Sequence, residues 1–430
     1  MRVLFLTPAN RSHLYIATPL AWALRSAGHD VCVASRPDLA ETIEQTGLIG
    51  VTCGPPDDAT MTARMNEAEP EPPADPDGWR DPHQTDYAKD DRIGEYESLI
   101  TNLYSVMSPD AMLDDLVTFA RRWQPDLVIW DMLTYAGPLA ARACGAAHAR
   151  LTLATDGMGQ LRTAFLAERT NPDYDPLREW FQPRLDRYDC GEFAEDLSLG
   201  QWTIDPMPSW TWHPDGVDYL PVRHVPFNGP ALAPSWVYEE RDRRRVCVTL
   251  GNSHRDAGRG EASAADLLSA VADLDVEVVA TLDTRQLGET TLPGNVRAVD
   301  FVPLNELLPT CSALVHHGGA GTFAAAVEHA VPQLIVPSSW WSERWYGPIA
   351  MANGLQEHGA GRYISDSEHL TPERLRDGLV RVLSDPSFQT NAEQLRKETL
   401  EMPSPAAIVP DLERLTRRYR ATSSRTGLAG

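Results

Sequence analysis

The string His316-His317-Gly318-Gly319-Ala320-Gly321-Thr322 is the densest group of chemically useful residues in the chain. An apolar run at 313–315 leads into it, and Thr322 with the alanine-rich stretch up to His329 reads as the start of a helix. A strand, a glycine turn and a helix start, in that order, aim free backbone N–H groups and the positive helix end at one point. An anion is stabilised there without a metal. The glycines let the backbone come close to such an anion, and a histidine at the strand end adds a side-chain donor. No lysine stands at the helix start, so the string is not the Gly-x-x-x-x-Gly-Lys phosphate loop, and its spacing is not Gly-x-Gly-x-x-Gly. Taken alone, the glycines favour a tight packing turn over a diphosphate cradle.

The second chemical feature is a histidine and a carboxylate far apart in the chain. His13 lies in the loop expected after a first strand at 3–7, and Asp131 at the end of a strand at 127–130. Ligands of open α/β sheets collect at the carboxyl ends of the strands, so central parallel strands would bring the two into one crevice. A histidine there takes a proton from a hydroxyl nucleophile, and a carboxylate on its other nitrogen fixes the tautomer and stabilises the imidazolium. Such a base contributes typically ~10²–10⁴ in rate. His13 as a helix cap or surface residue, and Asp131 as a helix cap, are the plainer readings, and spacing alone does not decide between them.

These residues need strands and helices to hold them. The first half alternates: strand 3–7, helix 19–28 closed by Gly28, strand 31–35, helix 39–46, helix 108–123 capped by Ser108 and Pro109, strand 127–130, helix 136–146. Residues 54–92 differ, being rich in proline and acid around Glu69-Pro-Glu-Pro-Pro-Ala-Asp-Pro-Asp-Gly78, and read as a long excursion. Residues 171–213 are irregular and aromatic, and are expected to help wall a pocket. The proline-rich 225–234 is a linker signature, followed by the charged run 239–245. A second series then runs through strands at 246–250, 276–282, 296–299, 313–315 and 334–336. Its helices fall at 264–274, 304–308, 372–383, 391–401 and 410–419. Such alternation predicts parallel sheets covered on both faces.

A chain of 430 residues accommodates two domains, each with its own core. With 38 basic against 61 acidic residues the formal charge is −23, which excludes nucleic acid and anionic lipid surfaces as expected partners. Any anionic substrate must therefore be attracted locally. Cys32, Cys53, Cys144, Cys190, Cys247 and Cys311 form no C-x-x-C pair, so neither a disulfide framework nor a zinc site is indicated. The apolar opening is shorter than the ~7–15 residues of a signal-peptide core, and no run approaches the ~18 of a membrane span. A cytoplasmic protein is expected.

Taken together, these stretches resemble the antibiotic-type glycosyltransferases of the GT-B fold: α/β proteins with two Rossmann-like domains facing each other across a cleft. The likeness is strongest to those that attach deoxysugars to macrolide and aromatic polyketide aglycones. It is carried by residues 1–35, Trp123-Gln-Pro-Asp-Leu-Val-Ile-Trp-Asp131, Gly200-Gln-Trp-Thr-Ile-Asp-Pro206 and Arg223-His-Val-Pro-Phe-Asn-Gly-Pro230. Val246-Cys-Val-Thr-Leu-Gly-Asn-Ser253, Asp300-Phe-Val-Pro-Leu-Asn305, the 316–322 string and Ser404-Pro-Ala-Ala-Ile-Val-Pro410 complete it, so it spans nearly the whole chain. The resemblance implies an N-terminal acceptor domain at 1–230, joined by a C-terminal helix at about 403–430, and a C-terminal nucleotide-sugar domain at 231–402.

Residue by residue, His13 resembles the catalytic base and Asp131 its partner; His317, Gly318, Gly319, Gly321 and Thr322 resemble the diphosphate grip, with Ser253 a second phosphate contact. Phe301 and Val302 match the place that holds the nucleobase. Where relatives carry an acidic residue that grips sugar hydroxyls, this chain has the longer Ser338-Ser-Trp-Trp-Ser-Glu-Arg-Trp-Tyr-Gly-Pro348, in which Glu343, with Ser342, is the substitute. A surface anchor built of Trp340, Trp341 and Trp345 is the other reading of that stretch. The implied activity is inverting transfer of a deoxysugar from a TDP-sugar co-substrate to a hydroxyl of a hydrophobic polyketide acceptor, with no cofactor or metal. Asp273-Leu-Asp275, at a predicted helix end, is given no metal-binding role. Subgroup members often use a cytochrome P450-like helper protein on the N-terminal domain, and a homodimer is compatible with the resemblance. Two rivals stand beside this reading: C-glycosylation of an aromatic polyketide, and a non-catalytic sugar-nucleotide-binding auxiliary subunit.

Overall fold

The structure, a computed structural model, describes residues 1–56, 94, 96–250, 263–282, 284–288, 290–337 and 347–426. Two parallel sheets organise it. The first contains β1 (Arg2–Leu6), β2 (Asp30–Ser35), β3 (Ile49–Thr52), β4 (Leu127–Asp131), β5 (Ala147–Leu151), β6 (Thr203–Asp205) and β7 (Tyr219–Pro221), in the order β3-β2-β1-β4-β5-β6-β7. Its interleaved helices are α1 (Arg11–Ser26), α2 (Ala40–Gln45), α3 (Asp110–Trp123), α4 (Ala136–Cys144), α5 (Gly157–Glu168) and α6 (Pro176–Arg187). Side chains alternate across the strands: Leu4, Leu6, Cys32 and Ala34 enter one apolar layer, while Val3, Phe5, Val31 and Val33 enter the other. A sheet buried on both faces needs near-continuous apolar strands, as β1, β2 and β4 are.

The second sheet has the order β10-β9-β8-β11-β12-β13: β8 (Arg244–Thr249), β9 (Val276–Thr281), β10 (Val296–Ala298), β11 (Cys311–His316), β12 (Gln333–Ile335) and β13 (Gly361–Tyr363). Helices α7 (Ala264–Val271), α8 (Ala320–Glu328), α9 (Gly347–Glu357), α10 (Pro372–Ser384) and α11 (Ser387–Leu400) cover it. The last helix, α12 (Val409–Thr426), returns to the first sheet, where Leu412 joins the N-terminal core and Tyr419 stacks on Trp202 with ring centroids 5.5 Å apart. In each sheet the winding reverses once, between β1 and β4 and between β8 and β11, and α/β sheets open a binding crevice at such points.

Several expectations are corrected locally. His13 is not in a loop: α1 begins at Arg11, capped by Asn10, whose Oδ1 accepts from Ser12 N at 2.9 Å. Pro19, expected at the helix start, sits inside it. Gly28 does close the helix, with φ +88°, its N–H reaching Arg25 O and the next N–H reaching Leu24 O. Ser108 does not cap α3; its hydroxyl accepts from Ala136 N, at the start of α4. The 171–213 region forms α6, which drives Trp180 and Phe181 into the core beside Tyr135 rather than walling the cleft. Asp273 and Asp275 fall after α7, and Asp275 pairs with Arg243 at the surface. Among the described residues no helix is long and apolar enough to cross a membrane, and all six cysteines are free.

Candidate active site

Strands β1 and β4 are hydrogen-bonded neighbours, with Leu6 opposite Trp130, so the segment leaving β1 meets the end of β4. His13, in the first turn of α1, places Nδ1 2.9 Å from Asp131 Oδ2. A carboxylate only accepts, so Nδ1 carries a proton, and Nε2 is the ring nitrogen left to face other partners. The other Asp131 oxygen accepts from Leu133 N at 2.9 Å, which fixes the carboxylate on both sides. Asp131 is 3% exposed and the His13 side chain 11% exposed. Asp131 thus serves both as a turn cap and as a partner: one oxygen closes the turn after β4 and the other holds the imidazole.

Across the cleft, β11 delivers His316 and His317 to the glycine turn. Gly318 N donates to His316 Nδ1 at 3.2 Å, so the His316 proton is on Nε2, which donates to Gln333 Oε1 at 2.9 Å. Burial pushes the pKa of His316 down to about 4, against the opposing effect of its hydrogen bond to Gln333. His316 is therefore a neutral brace under the loop, and His317 is the histidine that lines the cleft. The N-terminus of α8 has Gly319 at its cap position, no side-chain cap and no acid in its first turn. The positive end of the helix is left open toward the cavity.

One cavity of about 290 Å³ joins the two sides. His13 lines it together with His317, Gly318, Gly319, Gly321, Thr322, Phe301 and Val302, so every described residue expected at the site except Asp131 borders the same space, and Asp131 holds His13 from behind. Phe301 is half-exposed and Val302 buried, both beyond the end of β10. Ser253, Ser342 and Glu343, the tryptophans 340, 341 and 345, and the 69–78 excursion lie outside the described residues. No group of three or more His, Cys, Asp or Glu is placed to hold a metal among the described residues.

The cavity also has borders that did not stand out as site residues in the sequence: Tyr15, Thr155, His224, Phe227 and Asn228. Two of them, Phe227 and Asn228, belong to the segment that reads as a linker, and His224 immediately precedes it. That segment crosses the floor of the cleft: Phe227 meets Tyr15 edge-on at 5.1 Å, and Asn228 Oδ1 accepts from Asn305 N at 2.9 Å. Burial pushes His224 down to about 4, so it is neutral there. The available signal was a histidine and an asparagine placed among prolines, where a mere spacer needs neither.

Two Rossmann-like domains that share one cleft, an oriented imidazole on one bank and a glycine-lined helix N-terminus on the other, define a nucleotide-sugar-dependent glycosyltransferase of the GT-B fold. Residues 22–251 and 265–415 match the N-terminal and C-terminal domains of the erythromycin biosynthesis protein CIII-like family, and the chain belongs to that family. It is 46% identical to the aclacinomycin-T 2-deoxy-L-fucose transferase of Streptomyces galilaeus, covering 98% of this chain and 97% of that one. It is 45% identical to the 10-deoxymethynolide desosaminyltransferase of Streptomyces venezuelae, covering 98% of each. Among solved structures, the glycosyltransferase VinC in complex with dTDP superposes with a TM-score of 0.84 at 41% identity, covering 97% of this chain and 100% of that one.

Proposed function

We propose that the enzyme transfers a deoxysugar from a TDP-sugar to a hydroxyl of a polyketide aglycone, with inversion at the anomeric carbon and without a metal. The observation that carries this reading is the shared cavity, bordered by the Asp131-held His13 on one side and the open N-terminus of α8 on the other. The acceptor hydroxyl gives its proton to His13 Nε2 as its oxygen attacks the anomeric carbon. The bond from that carbon to the diphosphate oxygen breaks, and the electron pair leaves with TDP. Asp131 stabilises the imidazolium; His317 and the N–H groups at Ala320, Gly321 and Thr322 take up the charge of the departing diphosphate. Phe301 and Val302 hold the nucleobase, Ser253 adds a phosphate contact, and Ser342 with Glu343 grips the sugar. Names of relatives favour this donor and acceptor class: one transfers 2-deoxy-L-fucose, and another is a 10-deoxymethynolide desosaminyltransferase. The reading also includes a reducing, cytoplasmic setting, consistent with the six free cysteines, a cytochrome P450-like helper protein on the N-terminal domain, and compatibility with a homodimer.

The test is mass spectrometry after incubation with TDP-deoxysugars and a panel of aglycones, with and without a helper. A gain of one deoxysugar is expected. His13→Ala should lower kcat by ~10²–10⁴ and leave TDP affinity within about twofold. Acid-labile products indicate O-glycosides, and acid-stable ones the C-glycosyl alternative. Full turnover by His13→Ala would remove His13 as the base.

A further inference from the structure

One polar group bordering the cleft is used by neither the dyad nor the diphosphate cradle. The Thr155 hydroxyl is buried, on a residue only 3% exposed, and has no hydrogen-bond partner among the described residues. Buried hydroxyls nearly always have one, and this one borders the cavity, so a group bound there can supply it. Neighbouring groups do not meet the need. The adjacent carboxylate of Asp156 is committed to Arg150, which it pairs with through both oxygens, to Tyr219 Oη at 2.9 Å and to Gly159 N at 2.8 Å. Those bonds, all inside the N-terminal domain, make the β5–α5 loop stiff and fix where Thr155 stands.

Close approaches set its position relative to the cradle. A Cβ on Gly318 would lie 2.6 Å from Pro348 Cβ, and a Cβ on the adjacent Gly347 would lie 3.4 Å from Thr155 Oγ1. The glycine loop, Pro348, Gly347 and Thr155 therefore form one continuous wall, and all of them border the cavity. A diphosphate at the start of α8 has its sugar one bond further on, and this wall runs on from there to Thr155. Leu153 and Ala154 precede Thr155 on the same border, so the hydroxyl is a single polar point in an apolar surface.

We infer that the Thr155 hydroxyl hydrogen-bonds a hydroxyl of the transferred sugar and so sets sugar preference from the acceptor-side domain. The inference rests on the transfer reaction proposed above. A deoxysugar has few hydroxyls, so one contact in an apolar wall discriminates well: a site that must satisfy a buried polar group rejects sugars that cannot meet it.

Calorimetric titration of the whole enzyme with TDP and with TDP-2-deoxy-L-fucose tests this through the ratio of the two affinities. Thr155→Val keeps the shape and removes the hydroxyl. It is expected to melt no lower than wild type, to bind TDP unchanged, and to lose about 5–30-fold in its affinity for the TDP-sugar relative to TDP. Thr155→Ser should restore most of that loss. An unmoved ratio in Thr155→Val, or an effect confined to the KM of the acceptor, overturns the inference. The ratio needs neither acceptor nor turnover, so it is read whether or not wild type transfers the sugar. Absent transfer counts against the proposed reaction, and an unmoved ratio against Thr155.

Discussion

A methyl group added to Gly318, Gly319 or Gly321 would meet three different things. At Gly318, with φ +87°, it would sit 2.6 Å from Pro348 Cβ. At Gly319 it would strike the His317 ring, 2.5 Å from Nε2, and at Gly321 it would find open space. Gly318 therefore serves the backbone, Gly319 makes room for His317, and Gly321 keeps the cavity clear. Gly318→Ala should lower stability by about 2–4 kcal/mol, adding left-handed strain to overpacking. Gly321→Ala occupies an ordinary helical position, so its stability should hold or rise by up to about 1 kcal/mol. Its methyl, however, stands where the anion must approach the first N–H groups of α8, and TDP affinity should fall about tenfold or more. Thermal unfolding and TDP titration on both variants separate the effects. A Gly321→Ala protein that binds TDP like wild type would put the diphosphate elsewhere.

The segment between β6 and β7 links the two domains at the level of an element. Its Trp210 ring lies 5.7 Å from Phe323 of α8, and Trp210 Nε1 donates to Thr399 Oγ1 of α11 at 3.2 Å. The segment is tied back to the first sheet by His213, whose Nε2 is 2.6 Å from Asp205 and whose Nδ1 is 2.8 Å from Thr211 O. Both ring nitrogens face acceptors, so both carry protons and the ring is an imidazolium. Burial works against that charge, but the hydrogen bond and charge of Asp205 outweigh it, with help from Thr211 O and Asp156, and raise the pKa of His213. A raised folded value means the contribution is complete below the ordinary histidine value of about 6.5 and is lost as pH climbs through the folded value. The melting temperature of wild type should exceed that of His213→Gln most near pH 6, with the gap closing toward pH 9. A gap independent of pH would show that the imidazolium does not hold the segment. This tie was not legible in the sequence, and the reason is physical. Asp205 and His213 gain meaning only once β6 exists, and a three-residue strand leaves no periodicity to read. In the same way β5 was missed because His148 and Arg150 sit inside it, satisfied by Asp196 and by Asp156 with Thr203, partners set by the tertiary fold. The apolar cores of β1, β2 and β8, and the glycine turn after β11, could be read directly. So could His13 and Asp131 as candidates, although only adjacent strands show that they touch.

The whole molecule brings its parts together against its own charge. We propose that the chain divides near 230/231 and that residues from about 403 return to the N-terminal domain, as Ile408, Val409 and Leu412 in its core suggest. The connection is not slack: Gly229 lies so close to Tyr15 that a Cβ there would come within 2.4 Å of its hydroxyl, and Arg223 pairs with Glu328 at 3.3 Å. The linker thus carries the first turn of α1, with its base, in fixed relation to the helix that receives the diphosphate. Around this site the chain carries a net charge of −23, and the proposed donor is itself an anion. The local attraction from the end of α8 acts over roughly its first turn, whereas repulsion from the rest of the surface reaches a Debye length, about 30 Å at 0.01 M salt and 8 Å at 0.15 M. An approaching TDP-sugar therefore meets the repulsive field first at low salt, and that field shrinks toward the surface as salt is added. Stopped-flow association of TDP-sugar should quicken about two- to tenfold between 0.01 and 0.15 M salt, while dissociation changes less. A rate that falls with salt would mean that the cleft, and not the acidic surface, governs the field at the distance where capture begins.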